Sequence, residues 1–142
     1  MEPEMDALAA ALQAVGDRWT LLVVDALLAG PRRFNDLQSE VTGIATNVLA
    51  KRLSQLEARS LVVATAYSAR PPRFTYQLTQ PGLELAGALR LLRRWGADHA
   101  LDGTAPPQPA HGDCGTTLEH RWWCPTCERV VEDDEPPGLR YV

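Results

Sequence analysis

Residues 46–76 read TNVLAKRLSQLEARSLVVATAYSARPPRFTY. Within Ala45–Arg59, Leu49, Leu53 and Leu56 recur at helical spacing and fall on one stripe. At about 100° per residue, Asn47, Lys51 and Ser54 point away from that stripe. Thr46, Asn47, Lys51 and Arg52 give the helix a polar edge that core packing leaves available. A short apolar run over 61–67 follows, then the turn Ser68-Ala69-Arg70-Pro71-Pro72-Arg73, then a second strand over 74–78. A helix followed by an arginine-tipped hairpin offers two surfaces to a duplex. The helix suits a major groove, and the turn suits the backbone or the adjacent minor groove. The pattern predicts a winged helix-turn-helix, mainly α with a small β-hairpin wing.

Upstream, Met5, Leu8, Leu12 and Val15 repeat at 3-4-3 spacing and predict an amphipathic helix stopped by Gly16. A helix apolar on most sides spans about Trp19–Ala29 and ends at Gly30-Pro31, as expected of the central helix of a domain. A short helix over Phe34–Val41 and a turn at Thr42-Gly43 lead into the polar-edged helix. Downstream, Thr79-Gln80-Pro81-Gly82 predicts the start of a long helix reaching about Leu101, with Leu85, Leu89, Leu92 and Trp95 as its stripe. One small domain can hardly cover both terminal helices, so they are expected to pack against a second copy. The alternative is that both fold back on their own core.

The net charge of −4 is unevenly distributed. Residues 1–103 carry 11 basic and 11 acidic side chains, and residues 104–142 carry 3 and 7. Within 32–73, seven basic residues (Arg32, Arg33, Lys51, Arg52, Arg59, Arg70, Arg73) face three acidic ones (Asp36, Glu40, Glu57). Because screening limits charge to a reach of about 8–10 Å, this local excess is what a phosphate backbone meets. The run Leu21-Leu22-Val23-Val24 is interrupted by Asp25 and is too short to cross a bilayer. The start, Met1-Glu2-Pro3-Glu4, is acidic where a secretory signal is basic, and the expectation is a cytoplasmic protein with no membrane partner. No glycine-rich phosphate loop and no nucleophile elbow occur, which argues against an enzyme.

Several spaced motifs carry a family likeness: Gly16-Asp17-Arg18-Trp19-Thr20-Leu21-Leu22, Gly30-Pro31-Arg32-Arg33-Phe34-Asn35-Asp36-Leu37, Val48-Leu49-Ala50-Lys51-Arg52-Leu53, Leu56-Glu57 and Pro71-Pro72-Arg73-Phe74-Thr75-Tyr76-Gln77-Leu78-Thr79. In this order they resemble the HxlR-type winged-helix transcriptional regulators of bacteria, over about residues 6–101. The resemblance implies a homodimer built from the first and last helices, acting on a two-half-site operator in double-stranded DNA, most simply as a repressor. It also implies that Thr46, Asn47, Lys51 and Arg52 belong to the major-groove helix and that Arg70 and Arg73 belong to the wing. Arg32 and Arg33, at the start of the preceding helix, look placed for phosphates. Many thiol-sensing members carry a cysteine near the start of the first helix, about where Asp6 stands here, so their disulfide switch does not carry over.

All three cysteines follow the stiff, polar linker 103–110, which separates the reading head (1–102) from a small module at 111–135 and a tail at 136–142. His111, Cys114, Cys124 and Cys127 form His-x2-Cys-x9-Cys-x2-Cys, two knuckle-like pairs suited to one structural Zn²⁺ per chain in a zinc-ribbon-like β module. So short a segment has little core, and metal would supply its folding energy. His120 is the alternative fourth ligand. Three cysteines make no disulfide framework, and a lone Cys-x2-Cys as a redox pair lacks a thioredoxin-like setting. A closed four-ligand site leaves no open position for catalysis. Two rivals remain to the DNA-binding regulator: a metal- or redox-responsive sensor using this cluster, and a protein-interaction module that does not bind DNA. A small-molecule effector is conceivable, but no residue pattern argues for one.

Overall fold

Aspartates start the first two helices of the computed structural model, which describes residues 6–99, 108–132 and 134–135. Asp6 accepts the backbone N–H of Ala9 and opens α1 (Ala7–Val15). Asp17 accepts those of Trp19 at 3.0 Å and Thr20 at 3.2 Å and opens α2 (Arg18–Leu28). Such caps satisfy N–H groups that the first helical turn cannot pair. Val23, Val24 and Leu27 of α2 are buried at the centre of the core, as the sequence predicts for this helix.

β1 (Arg32–Arg33) leads into α3 (Phe34–Glu40). A turn through Gly43, whose φ of +83° favours glycine, connects to α4 (Thr46–Ala58). The half-buried side chain of Gln38 donates to the carbonyl of Ile44 and ties this turn. Leu49, Leu53 and Leu56 seat α4 on the core, with no more than 1% of each exposed. Ser60 ends α4 in a left-handed conformation, and the Leu61 N–H reaches back to the Leu56 carbonyl at 2.9 Å in a Schellman arrangement.

β2 (Val62–Ala69) and β3 (Pro72–Leu78) form the wing hairpin, and β1 adds a third antiparallel strand in the order β1-β3-β2. Arg33 caps α3, in keeping with its expected place at a helix start, and the pairing Arg32↔Tyr76 and Arg33↔Thr75 adds that both arginines also form a strand beside β3. Two residues are too few for an alternation pattern, so only the approach of β3 reveals them as a strand.

The long helix expected from Thr79 is two helices, α5 (Gln80–Leu83) and α6 (Ala86–Asp98), with the predicted end near Leu101 outside the described residues. The break has a packing cause. Gly82 is buried against the Leu61 carbonyl, which also accepts the Thr79 N–H at 3.0 Å, so α5 is tied to the foot of β2. The chain redirects through Glu84 and Leu85 before Leu89 can reach the core. Arg93 then bridges to Asp25 of α2 at 2.6 Å. Leu8 and Leu12 of α1 and Leu91 and Leu92 of α6 remain exposed in the single chain.

The chain divides into two units, Met1–Gly96 and Ala97–Val142. In the second, residues 109–118 form a tight hairpin around the bridge Ala110↔Thr117, and β4 (Trp122–Cys124) pairs antiparallel with β5 (Arg129–Val131). Among the described residues, no single helix is long and apolar enough to cross a membrane.

Candidate nucleic-acid interface

One face of α4 is consumed by the core, the opposite face presents Asn47 and Lys51 to solvent, and Thr46 is exposed at the first position of the helix. Amide and ammonium groups in the first turns of such a helix have the reach and donor chemistry to contact base edges and phosphates. Arg52 is engaged elsewhere. Its Nε lies 3.1 Å from the Asp17 carboxylate and its guanidinium donates to Gln55, so it braces α4 against the start of α2.

Asp17 thereby gathers Trp19, Thr20 and Arg52. Burial acts to raise its pKa, but hydrogen bonds from the Thr20 hydroxyl and N–H, the charge of Arg52 and the Trp19 N–H together hold it below the ordinary 3.8. A folded-state pKa below the unfolded one contributes stability that is complete above the unfolded value and lost as pH falls through the folded value. Wild type should therefore exceed Asp17→Asn in stability by a constant margin near neutrality, and the margin should shrink below about pH 4. Urea denaturation across that range checks this, and a margin independent of pH would contradict it.

The two arginines of β1 part company. Arg32 donates to Glu40 at 2.8 Å and to the carbonyls of Gly30 and Pro31, closing the α3 segment on itself. Arg33 is exposed and places its guanidinium 4.6 Å from the centre of the Tyr67 ring on the wing. The N–H of Arg33 is already accepted by Asp36 at 3.0 Å, so a carboxylate occupies the start of α3. Arg70 and Arg73 stand exposed around the wing turn, where Ser68 donates to the Pro71 carbonyl. Two adjacent strands thus carry Arg33 and Arg73, and α4 displays Asn47 and Lys51 to solvent.

The tail holds its predicted ligands as two separate pairs. His111 and Cys114 sit in the turn of the first hairpin with Nδ1 and Sγ 3.4 Å apart, and Nε2 of His111 is 4.0 Å from Asp113. Cys124 ends β4, and Cys127 lies in the turn that leads to β5. The second residue of each pair is followed by one of positive φ, Gly115 at +71° and Glu128 at +52°. Hydrogen bonds from the Thr116 hydroxyl and N–H, then from His111, push the Cys114 thiol down to about 7. The Cys127 N–H, the Cys127 thiol and the Thr126 N–H lower Cys124, and the proximity of Cys124 raises Cys127. Among the described residues no three potential ligands stand close enough to hold a metal ion, so the structure forms the pairs without bringing them together. His120 packs edge-on to Trp122 with ring centres 5.1 Å apart.

Sequence reasoning passed over Asp17, Glu40 and Tyr67. Asp17 was legible as a helix cap, but nothing local points from it to Arg52, 35 residues on. Tyr67 is the extra residue of a β-bulge between the pairs Ala66↔Phe74 and Ser68↔Arg73, a register feature that one strand alone does not reveal.

Comparison with known proteins agrees with this architecture. The model of the HxlR-like helix-turn-helix family matches residues 14–103. The uncharacterized HTH-type transcriptional regulator MT3179 of Mycobacterium tuberculosis is 33% identical over 96% of this chain and 90% of its own length, so the likeness runs into the tail. YodB of Bacillus subtilis, an HTH-type transcriptional regulator, is 30% identical over 67% of this chain and 82% of its length. The solved structure of YtcD from Bacillus subtilis covers 67% of this chain and 97% of its own, with a TM-score of 0.62 at 30% identity. The reduced form of the redox regulator HypR gives the same TM-score at 26% identity, covering 69% of this chain and 96% of its own. With the winged fold, the displayed face of α4 and these matches, the chain belongs to the HxlR-like helix-turn-helix family and is a DNA-binding transcriptional regulator, not an enzyme.

Proposed function

We propose that the protein acts in the cytoplasm as a homodimer that represses transcription by occupying a two-half-site operator, with α4 in the major groove and the wing on its flank. The observation that carries this reading is the division of α4 into a fully buried leucine stripe and an exposed Thr46, Asn47 and Lys51 edge. Lys51 and Asn47 supply base and phosphate contacts, and Arg33, Arg70 and Arg73 supply backbone contacts. Arg32 and Arg52 serve by holding α3 and α4 in place. Dimerisation is supported by the exposed Leu8, Leu12, Leu91 and Leu92, which lie on the first and last helices. Each phosphate contact releases bound counterions, so the Lys51→Ala, Arg73→Ala double variant should bind operator DNA about tenfold more weakly and lower the salt slope by roughly 1–2. Fluorescence titration across salt concentrations reads both quantities, and an unchanged slope would overturn the assignment. Light scattering after size exclusion should give a dimer mass, and a monomer at micromolar concentration would exclude the dimer.

For the tail we infer one structural zinc per chain held by His111, Cys114, Cys124 and Cys127. Support comes from the donor chemistry and from the two hairpins, each of which carries one pair at or beside its turn, followed by a residue of positive φ. Asp113 beside the second nitrogen of His111 is placed to orient the ring. When bound, zinc would cross-link the two hairpins, and the chain's own hydrogen bonds from Thr116 and Thr126 favour the thiolates it needs. Full-length protein purified without added metal should contain about one zinc per chain, and less than about half an equivalent overturns this reading. A second reading, a thiol sensor, is favoured by the exposed Cys114 with its lowered pKa. YodB and HypR have been solved in reduced and in diamide-treated or oxidized forms. Loss of DNA affinity under mild oxidation would favour the sensor.

A further inference from the structure

A cleft of about 570 Å³ opens between the β1–α3 junction and the wing, within the range of small-molecule sites. Its lining unites four aromatic residues, Phe34, Tyr67, Phe74 and Tyr76, with two arginines, Arg33 and Arg73, and one carboxylate, Asp36. Tyr67 and Phe74 are 46% and 39% exposed, an unusual investment of aromatic surface on a hairpin meant for phosphate. The bulge at Tyr67 turns its ring toward Arg33, which stacks on it at 4.6 Å. Bulges re-aim side chains in this manner beside functional sites.

We propose that this cleft binds a small aromatic monocarboxylate and that the ligand loosens the wing's hold on DNA. The regulatory half rests on the DNA-binding reading above; the binding half does not. The charges choose the ligand. Two guanidinium groups against one carboxylate leave a single positive charge to match, and Asp36 is already held by the Arg33 N–H at 3.0 Å, where its charge disfavours a dianion. A carboxylate pairs with the guanidinium edges in charge-assisted hydrogen bonds, while a flat ring lies against Phe74 and Tyr76. A DNA phosphate would use the arginines and leave the aromatic walls without a role. Because Arg33 and Arg73 serve both partners, the acid and the duplex compete.

Calorimetric titration of the full chain with 4-hydroxybenzoate, without DNA, tests the site. Saturable binding is expected, about tenfold weaker for cyclohexanecarboxylate, which has the charge but no π face, and weaker still for inorganic phosphate. Tyr67→Ala should weaken 4-hydroxybenzoate by about tenfold and Tyr67→Phe should restore it. Tyr67 lies outside the core, so both variants should fold. No binding up to about 10 mM, equal affinity for all three anions, or an unaffected Tyr67→Ala would overturn the site. In a separate titration, 4-hydroxybenzoate should lower operator affinity. Ligand binding with unchanged DNA affinity would overturn the competition, and absence of DNA binding in any condition would instead overturn the operator reading.

Discussion

Replacing Leu53 with alanine is expected to cost about 2–5 kcal/mol of folding stability, the range for emptying a fully enclosed leucine site. Leu53 is 1% exposed and belongs to the same buried cluster as Leu49, Leu56, Val23 and Leu27. Its removal loses transfer free energy and leaves a cavity that neighbours from α2 and α3 can only partly fill. In a domain of this size each kcal/mol lowers Tm by about 4–8 °C, so the loss should be obvious in a thermal scan as well as in urea. Two residues earlier in α4, exposed Lys51→Ala should stay within about 0.5 kcal/mol of wild type while weakening DNA binding. That opposition separates the seating of the helix from its display. A loss below about 1 kcal/mol for Leu53→Ala would show that α4 is not held as described.

Gly82→Ala should be the second most damaging change, costing about 1–3 kcal/mol or more. A methyl group there would stand 2.4 Å from the Leu61 carbonyl oxygen and 3.0 Å from a Leu78 side-chain carbon. The carbonyl is backbone and is itself tied to the Thr79 N–H, so it cannot swing aside as a flexible side chain would. Displacing α5 is also expected to tilt the start of α6, and with it the exposed Leu91 and Leu92, so the proposed dimer should dissociate at a higher concentration than wild type. Gly87→Ala is the internal contrast. Nothing lies within 4 Å of a methyl at Gly87, which sits inside α6, and alanine should stabilise that helix by up to about 1 kcal/mol. Opposite signs for two glycines five residues apart are the expected result; equal signs would mean that Gly82 is not wedged against β2.

The helices and the wing were readable from local pattern because burial imposes periodicity on sequence. Leu49, Leu53 and Leu56 announce a stripe, Val23, Val24 and Leu27 announce a central helix, and Arg70 to Arg73 with their prolines announce a hairpin turn. Candidate contacts at Asn47 and Lys51 came from the same logic, since residues opposite a buried stripe must face solvent, and Thr46 came from the polar start of the helix. The spacing His-x2-Cys and Cys-x2-Cys was equally visible, and it fits the close approach of His111 to Cys114 within one turn.

Long-range pairing was not readable in this way. The two-residue strand β1, the break before α6 and the bulge at Tyr67 depend on which distant backbone comes alongside. So do the partners of Arg32 and Arg52. As residue types, both arginines suit phosphate as well as Arg33 and Arg73 do, but Glu40 and Asp17 reach them only after the helices have packed. Periodicity and capping act over a few neighbouring residues and leave their mark in the chain itself, whereas ion pairs, register and close backbone approach arise between segments that meet only in three dimensions.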